Sequence, residues 1–148
     1  MIKASPLKLH QIDFLRVSVE VNDQADPEKA SEFDFNGATI GWAFRQGQHE
    51  DGTVWIAVGF ATEAEPEEGP ICPYVIDMQA VGTFSLHDDY NGDNADKFVF
   101  ECGAALVYGA IREMVANITA RSALGRLVLP TPSFQGLYEQ YEEQEEAT

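Results

Sequence analysis

The chain has 148 residues, enough for one domain with a core of its own. Its 25 Asp and Glu against 9 Lys and Arg give a formal charge of −16. Such a surface repels nucleic-acid phosphate, which argues against a nucleic-acid partner, and it attracts basic segments of other proteins. No apolar run approaches the roughly 18 residues of a membrane span, so no stable membrane insertion is expected. In the N-terminal MIKASPLKLHQIDF, Pro6, Lys8, His10, Gln11 and Asp13 interrupt any signal core. The expected location is therefore the cytoplasm. Cys72 and Cys102 are too few for a disulfide scaffold and read as reduced, buried thiols.

In chain order, residues 7–21 form the first expected strand. Val17, Val19 and Val21 alternate with Ser18 and Glu20, the pattern of a half-buried strand. Ile12 and Phe14 fall on the opposite parity, which places a bulge near Leu15. Residues 22–37 are polar and turn-rich and read as a long connection, although Phe33 and Phe35 are out of place in a solvated loop. A second strand is expected over residues 38–46, with Ile40, Trp42 and Phe44 on one face. Residues 46–52 make a turn closing on Asp51-Gly52. Val54, Ile56, Val58 and Phe60 alternate in a third strand, antiparallel to the second. Residues 64–69 (AEPEEG) are an acidic turn. A fourth strand covers residues 74–86, its apolar face Tyr74, Ile76 and Met78.

After a polar loop, Asn94 is the candidate cap of a long helix. Ala104, Val107, Ile111, Met114, Val115 and Ile118 recur at spacings of three and four, one apolar stripe. Gly125, Pro130 and Pro132 end it, and Leu124, Leu127, Val128 and Leu129 form an apolar run inside the connector. Ser133 is placed to cap a short second helix carrying Phe134, Leu137, Tyr138 and Tyr141. Residues 1–140 make one domain and residues 141–148 an acidic flexible tail. Four antiparallel strands followed by a long and a short helix define an α+β fold, with the helices on one sheet face.

Signals for catalysis are poor. His10, His49 and His87 stand apart, without metal-ligand spacing to either cysteine. No nucleophile elbow, P-loop or dinucleotide fingerprint occurs, so no catalytic residue, metal or cofactor is expected. The acidic run from Asp88 to Asn94 fails the register of a calcium loop and reads as an Asn91-Gly92 turn.

Arg112-Glu113, Arg121, the Leu127-x-Leu129 pair, Pro132, Phe134 and Leu137-Tyr138 together resemble the C-terminal half of the SecB export chaperones. Upstream, Asp77-Met78-Gln79 followed by Gly82-Thr83-Phe84-Ser85 is similar to that family's fourth strand, and Val17-Ser18-Val19-Glu20 to its first. The resemblance implies an ATP-independent holdase that keeps unfolded proteins or preproteins competent for export. It implies a client-binding groove lined by Phe33, Phe35, Trp42, Phe44, Leu124, Leu127, Leu129 and Phe134. It also implies pairing through the first strand and long helix into a dimer of dimers, and a docking face for the SecA motor at Glu20, Val75 and Asp77. Three departures bear on these expectations. Arg16 stands where the family has another acid, Gly109 replaces a helix proline, and Ala110 replaces a tyrosine.

Read on residues alone, the same aromatics form a satellite core under their own loops. Two other functions stay open: a dedicated chaperone of one partner such as an antitoxin, and a small-ligand-binding α+β domain.

Overall fold

A computed structural model describes residues 1–147 of the chain. Strands β1 (Leu7–Val21), β2 (Gly41–Gln48), β3 (Val54–Ala61) and β4 (Tyr74–Leu86) form one antiparallel sheet in the order β1-β4-β3-β2. Helices α1 (Ala95–Thr119) and α2 (Leu137–Ala147) follow. This is the α+β architecture expected from the pattern of elements.

The alternation in each strand decides which face is buried. Ile56, Val58 and Phe60 of β3 and Tyr74, Ile76, Met78, Ala80 and Phe84 of β4 point toward α1 and are buried. From α1, Val107, Ile111 and Val115 meet them. In β1 the register shifts between Phe14 and Arg16, so Leu15 is the extra residue of a bulge, at the position where the apolar parity changes. A second shift falls between Leu9 and Gln11. Across the sheet Val17 pairs with Met78 and Val21 with Tyr74, so both lie on the helix side. They stay 47% and 43% exposed because β1 is an edge strand that α1 does not fully cover.

Several boundaries differ from those expected. β2 starts at Gly41 rather than residue 38, because its ladder with β3 begins at the Gly41–Ala61 pair. It runs on to Gln48, and the hairpin then closes with the His49 amide donating to the Thr53 carbonyl and Gly52 at φ +89°. The connection at residues 22–37 contains a short 3-10 helix, Pro27–Glu32, with Asp26 accepting from the Glu28 amide at its start. Asn94 does cap α1, in a left-handed conformation at φ +44°, accepting from the Lys97 amide.

At its other end α1 stops at Thr119, before Gly125 is reached. The Thr119 hydroxyl donates to the Val115 carbonyl and accepts from the Leu127 amide, so a side chain redirects the backbone. Ser133 accepts from the Gln135 amide within a turn rather than capping α2, which leaves Phe134 outside the helix. α2 continues to Ala147, so residues 141–147 are helical; Thr148 lies outside the described residues. Cys72 is buried as expected, and Cys102 is only half-buried.

Glycines set how closely α1 approaches the sheet. A Cβ at Gly82 would stand 2.7 Å from the Phe84 ring and from a Val107 methyl. One at Gly109 would meet nothing within 4 Å. Gly82→Ala is therefore expected to destabilise by about 1–3 kcal/mol through overpacking. Gly109→Ala should stabilise by up to about 1 kcal/mol through helix propensity. Chemical denaturation of both variants checks this pair of opposite signs.

Candidate functional site

The site is organised by the segment between the helices, residues 120–136. Its backbone is held by side chains of the scaffold. The Tyr74 hydroxyl, from β4, donates to the Gly125 carbonyl at 2.6 Å. Tyr108, from α1, donates to the Pro130 carbonyl. Thr119 takes the Leu127 amide at 2.8 Å, and Arg112 donates to the Thr131 hydroxyl at 3.0 Å. These bonds fix where the segment's apolar side chains go. Leu127 and Leu129 turn inward, while Val128 between them is 58% exposed.

Around Tyr108 the rings form a connected cluster. Its ring lies 5.2 Å from Trp42, 5.7 Å from Phe134 and 6.2 Å from Phe60, centroid to centroid. Trp42 stacks on Phe44 at 5.8 Å, both from β2, and Phe44 meets Phe134 edge-on at 6.2 Å. On the far side Phe33 meets Phe35 edge-on at 4.8 Å, and Phe35 meets Phe60 at 6.1 Å. Edge-on and tilted packing is the favoured geometry for such rings.

Two depressions open to solvent flank this cluster. The first, about 410 Å³, lies between Trp42 and Phe44 of β2, Pro132 and Phe134 of the connector, and Leu137 and Tyr141 of α2. The second, about 520 Å³, lies between Phe33 and Phe35 and the stretch Leu124, Leu127, Val128 and Pro130. Seven of the eight expected groove residues thus line one of the two depressions. Leu129 does not: it is 1% exposed and belongs to the core cluster of the sheet and α1. The two sets are not sealed, since Phe33, Phe35, Trp42, Phe44, Leu124 and Phe134 all remain half-buried.

α2 forms one wall of the first depression, and its attachment is polar and aromatic. The Glu101 carboxylate accepts from the Gly136 and Tyr138 amides at 3.0 and 3.1 Å, satisfying donors at the helix start. Lys97 pairs with Glu139 at 2.5 Å, which pushes the lysine up and holds the carboxyl down. Phe100 packs on Tyr138 and Tyr141 at 5.9 and 4.9 Å.

Glu20, Val75 and Asp77 lie together on the other face of the sheet. Glu20 pairs directly with Val75, and Ser18 with Asp77. Arg16 reaches Asp77 at 2.6 Å and neutralises it, although at this exposure such a pair contributes little stability. The histidines stay apart. His10 meets Ser85 at 2.8 Å, and His87 sits 3.5 Å from Asp89. Among the described residues no group of three or more His, Cys, Asp or Glu is placed to hold a metal ion. No helix among them is long and apolar enough to cross a membrane.

Tyr108, Tyr74 and Thr119 are the residues that sequence reasoning passed over as loop anchors. A signal was present: Tyr108 and Thr119 fall on the apolar stripe of α1, and a polar-tipped side chain on a buried stripe needs a partner. Burial pushes the Tyr108 hydroxyl up to about 12 from its ordinary 10.0, with Arg112 opposing. A raised tyrosine stabilises the fold fully below pH 10, and that contribution fades between pH 10 and 12 by about 1.4 kcal/mol per pH unit. Tyr108→Phe is expected to flatten this fall, as read from thermal transitions across that pH range.

No family model matches the chain, and no curated protein does. Solved structures do. A SecB-like chaperone of Mycobacterium tuberculosis, in complex with a ChAD peptide from an antitoxin, superposes with a TM-score of 0.56 at 16% identity, covering 86% of this chain and 91% of that one. A protein of unknown function from Streptococcus agalactiae gives 0.49 at 9% identity over 87% of this chain and 100% of that one, a likeness too loose to argue from. With the sheet order, the long helix and the short C-terminal helix already described, the first superposition establishes that this chain has the SecB-like fold.

Proposed function

We propose that the chain is an ATP-independent holdase chaperone that takes extended apolar segments of non-native proteins into the two depressions and across the aromatic cluster between them. The observation that carries this reading is the half-exposed state of Phe33, Phe35, Trp42, Phe44 and Phe134 beside open depressions, on a connector that hydrogen bonds keep from collapsing. These are the positions where the resemblance puts the client groove. A ligand pocket of the small-molecule kind would be more enclosed and would converge a few polar groups on one point.

Magnitudes favour a long surface. A buried aromatic covers about 150–250 Å², worth roughly 4–6 kcal/mol gross at ~25 cal/mol/Å². Ordering each client residue costs about 1–2 kcal/mol. Micromolar holding, near −8 kcal/mol, therefore takes several anchors at once, and two depressions supply them. Asp34 and Arg126 both line the second depression, and the first has no charged lining residue. Clients that carry basic residues among their apolar ones suit a chain of net charge −16.

The working form is a homo-oligomer, a dimer of dimers joined through β1 and α1. Leu9, Val17 and Val21 on β1 and Leu106 on α1 are all at least 40% exposed, beside an unpaired strand edge. A mass in solution that is a multiple of 16.3 kDa supports this, and a strict monomer removes it. Cytoplasmic preprotein export is the general role. The second reading is a dedicated chaperone, favoured by the antitoxin peptide in the M. tuberculosis complex. Docking to SecA through Glu20, Val75 and Asp77 is part of the export reading, and the Arg16–Asp77 pair weakens the acidic face it needs.

The test is suppression of aggregation of a chemically denatured client, at micromolar chaperone and without nucleotide. Phe33→Ser with Phe134→Ser should weaken holding at least about tenfold, since each removes an aromatic anchor. Val128→Glu, at an exposed site, gives a second variant expected to keep the fold and lose holding. Unchanged holding by both folded variants would sink the groove assignment. A panel of unrelated clients against one candidate partner separates the general from the dedicated reading.

A further inference from the structure

The sheet face turned away from the helices carries a second apolar surface, which the client depressions do not use. A depression of about 390 Å³ lies there, floored by Ala57 and Gly59 of β3 and Ala43 of β2. Small residues keep this floor low: a Cβ at Gly59 would stand 3.1 Å from that of Ala43. Trp55, paired across the sheet with Gly47, lies where a Gly47 side chain would have to go. Its ring therefore forms a wall at one end rather than a cover over the floor. Leu15 stands at the other side, pushed outward by the β1 bulge and 64% exposed.

Arg45 is the only charged residue lining this depression. Among the described residues it makes no ion pair, whereas Arg16 on the same face is taken by Asp77. In a chain with 25 acids and 9 bases, a guanidinium without an ion pair beside an apolar floor gives this depression a local charge opposite to that of the chain as a whole. Of the client depressions, the first has no charged lining residue and the second is lined by both Asp34 and Arg126. A second copy stacked on this face about a twofold axis would bring two Arg45 guanidinium groups together, so a copy of this chain is the poorer occupant here.

We propose that this depression docks a segment of another protein that carries a large apolar side chain next to a carboxylate. The apolar group lies on Ala57 and Gly59 between Leu15 and Trp55, and the carboxylate takes the planar fork of Arg45. The protein then has a second peptide-binding face, on the open side of the sheet, that takes apolar segments with acidic residues.

Trp55 reports on this site directly. In Trp42→Phe it is the single tryptophan, and its emission can be followed while a blocked peptide GSLEFDLGS is titrated in. A saturable shift is expected, and the peptide with Lys at both acidic positions should bind about tenfold or more weakly. Arg45→Glu on that background should reverse the preference, and Ala57→Arg should abolish binding of the acidic peptide; circular dichroism confirms that both stay folded. Phe33→Ser with Phe134→Ser should leave this binding intact, which separates it from client holding. Equal binding of the two peptides, indifference to Arg45→Glu, loss through the Phe33 and Phe134 changes, or a Trp55 signal that follows protein concentration without peptide would each overturn the proposal.

Discussion

Everything distinctive about this chain depends on three hydroxyl groups that hold the connector between the helices. Tyr74, Tyr108 and Thr119 reach residues 125, 130 and 127 from the sheet and the long helix. A connector carrying Leu124, Leu127, Val128 and Leu129 would otherwise bury as much apolar surface as it could reach. Bonded at these points, it buries Leu127 and Leu129 and leaves Val128 and its aromatic neighbours against water. A buried hydroxyl that lost its carbonyl would carry a desolvation penalty of about 1–3 kcal/mol, so these contacts resist collapse of the segment.

The same logic of incomplete burial extends to the outside of the sheet. Edge strands, half-covered valines and an outer sheet face without a helix on it leave apolar side chains exposed. A net charge of −16 opposes non-specific association of such a surface through mutual repulsion. High charge and open apolar surface are therefore two halves of one design, each of which would be a liability alone. Arg45 and the Arg16–Asp77 pair place positive charge on the outer face of the sheet.

Much of the fold was legible because local rules and tertiary packing agree. β4 spans residues 74–86 as its alternation required, the bulge falls at Leu15 where parity changed, and Asn94 caps the long helix. Elsewhere the local rule pointed to the wrong residue. Gly125 and the prolines looked like the end of α1, yet Thr119 ends it, since a hydroxyl bonded to both helix and connector outweighs a distant glycine. Ser133 looked like a cap for α2, but its first-turn amides are taken by Glu101, a residue far away in sequence. The charged run after residue 140 looked like a tail, and it continues the helix whose start Phe100 and Lys97 secure.

By itself, the sequence determined the class of fold, the buried face of each strand, the acidity and the set of aromatics that stand out of place. Periodicity and charge are properties of neighbours along the chain, and they survive any arrangement of the elements. Only the tertiary structure decided which of those aromatics line a depression and which sink into the core. Leu127 and Leu129 look alike in sequence, but one borders open space and the other does not. That outcome depends on hydrogen bonds between residues dozens of positions apart, and no local pattern encodes them.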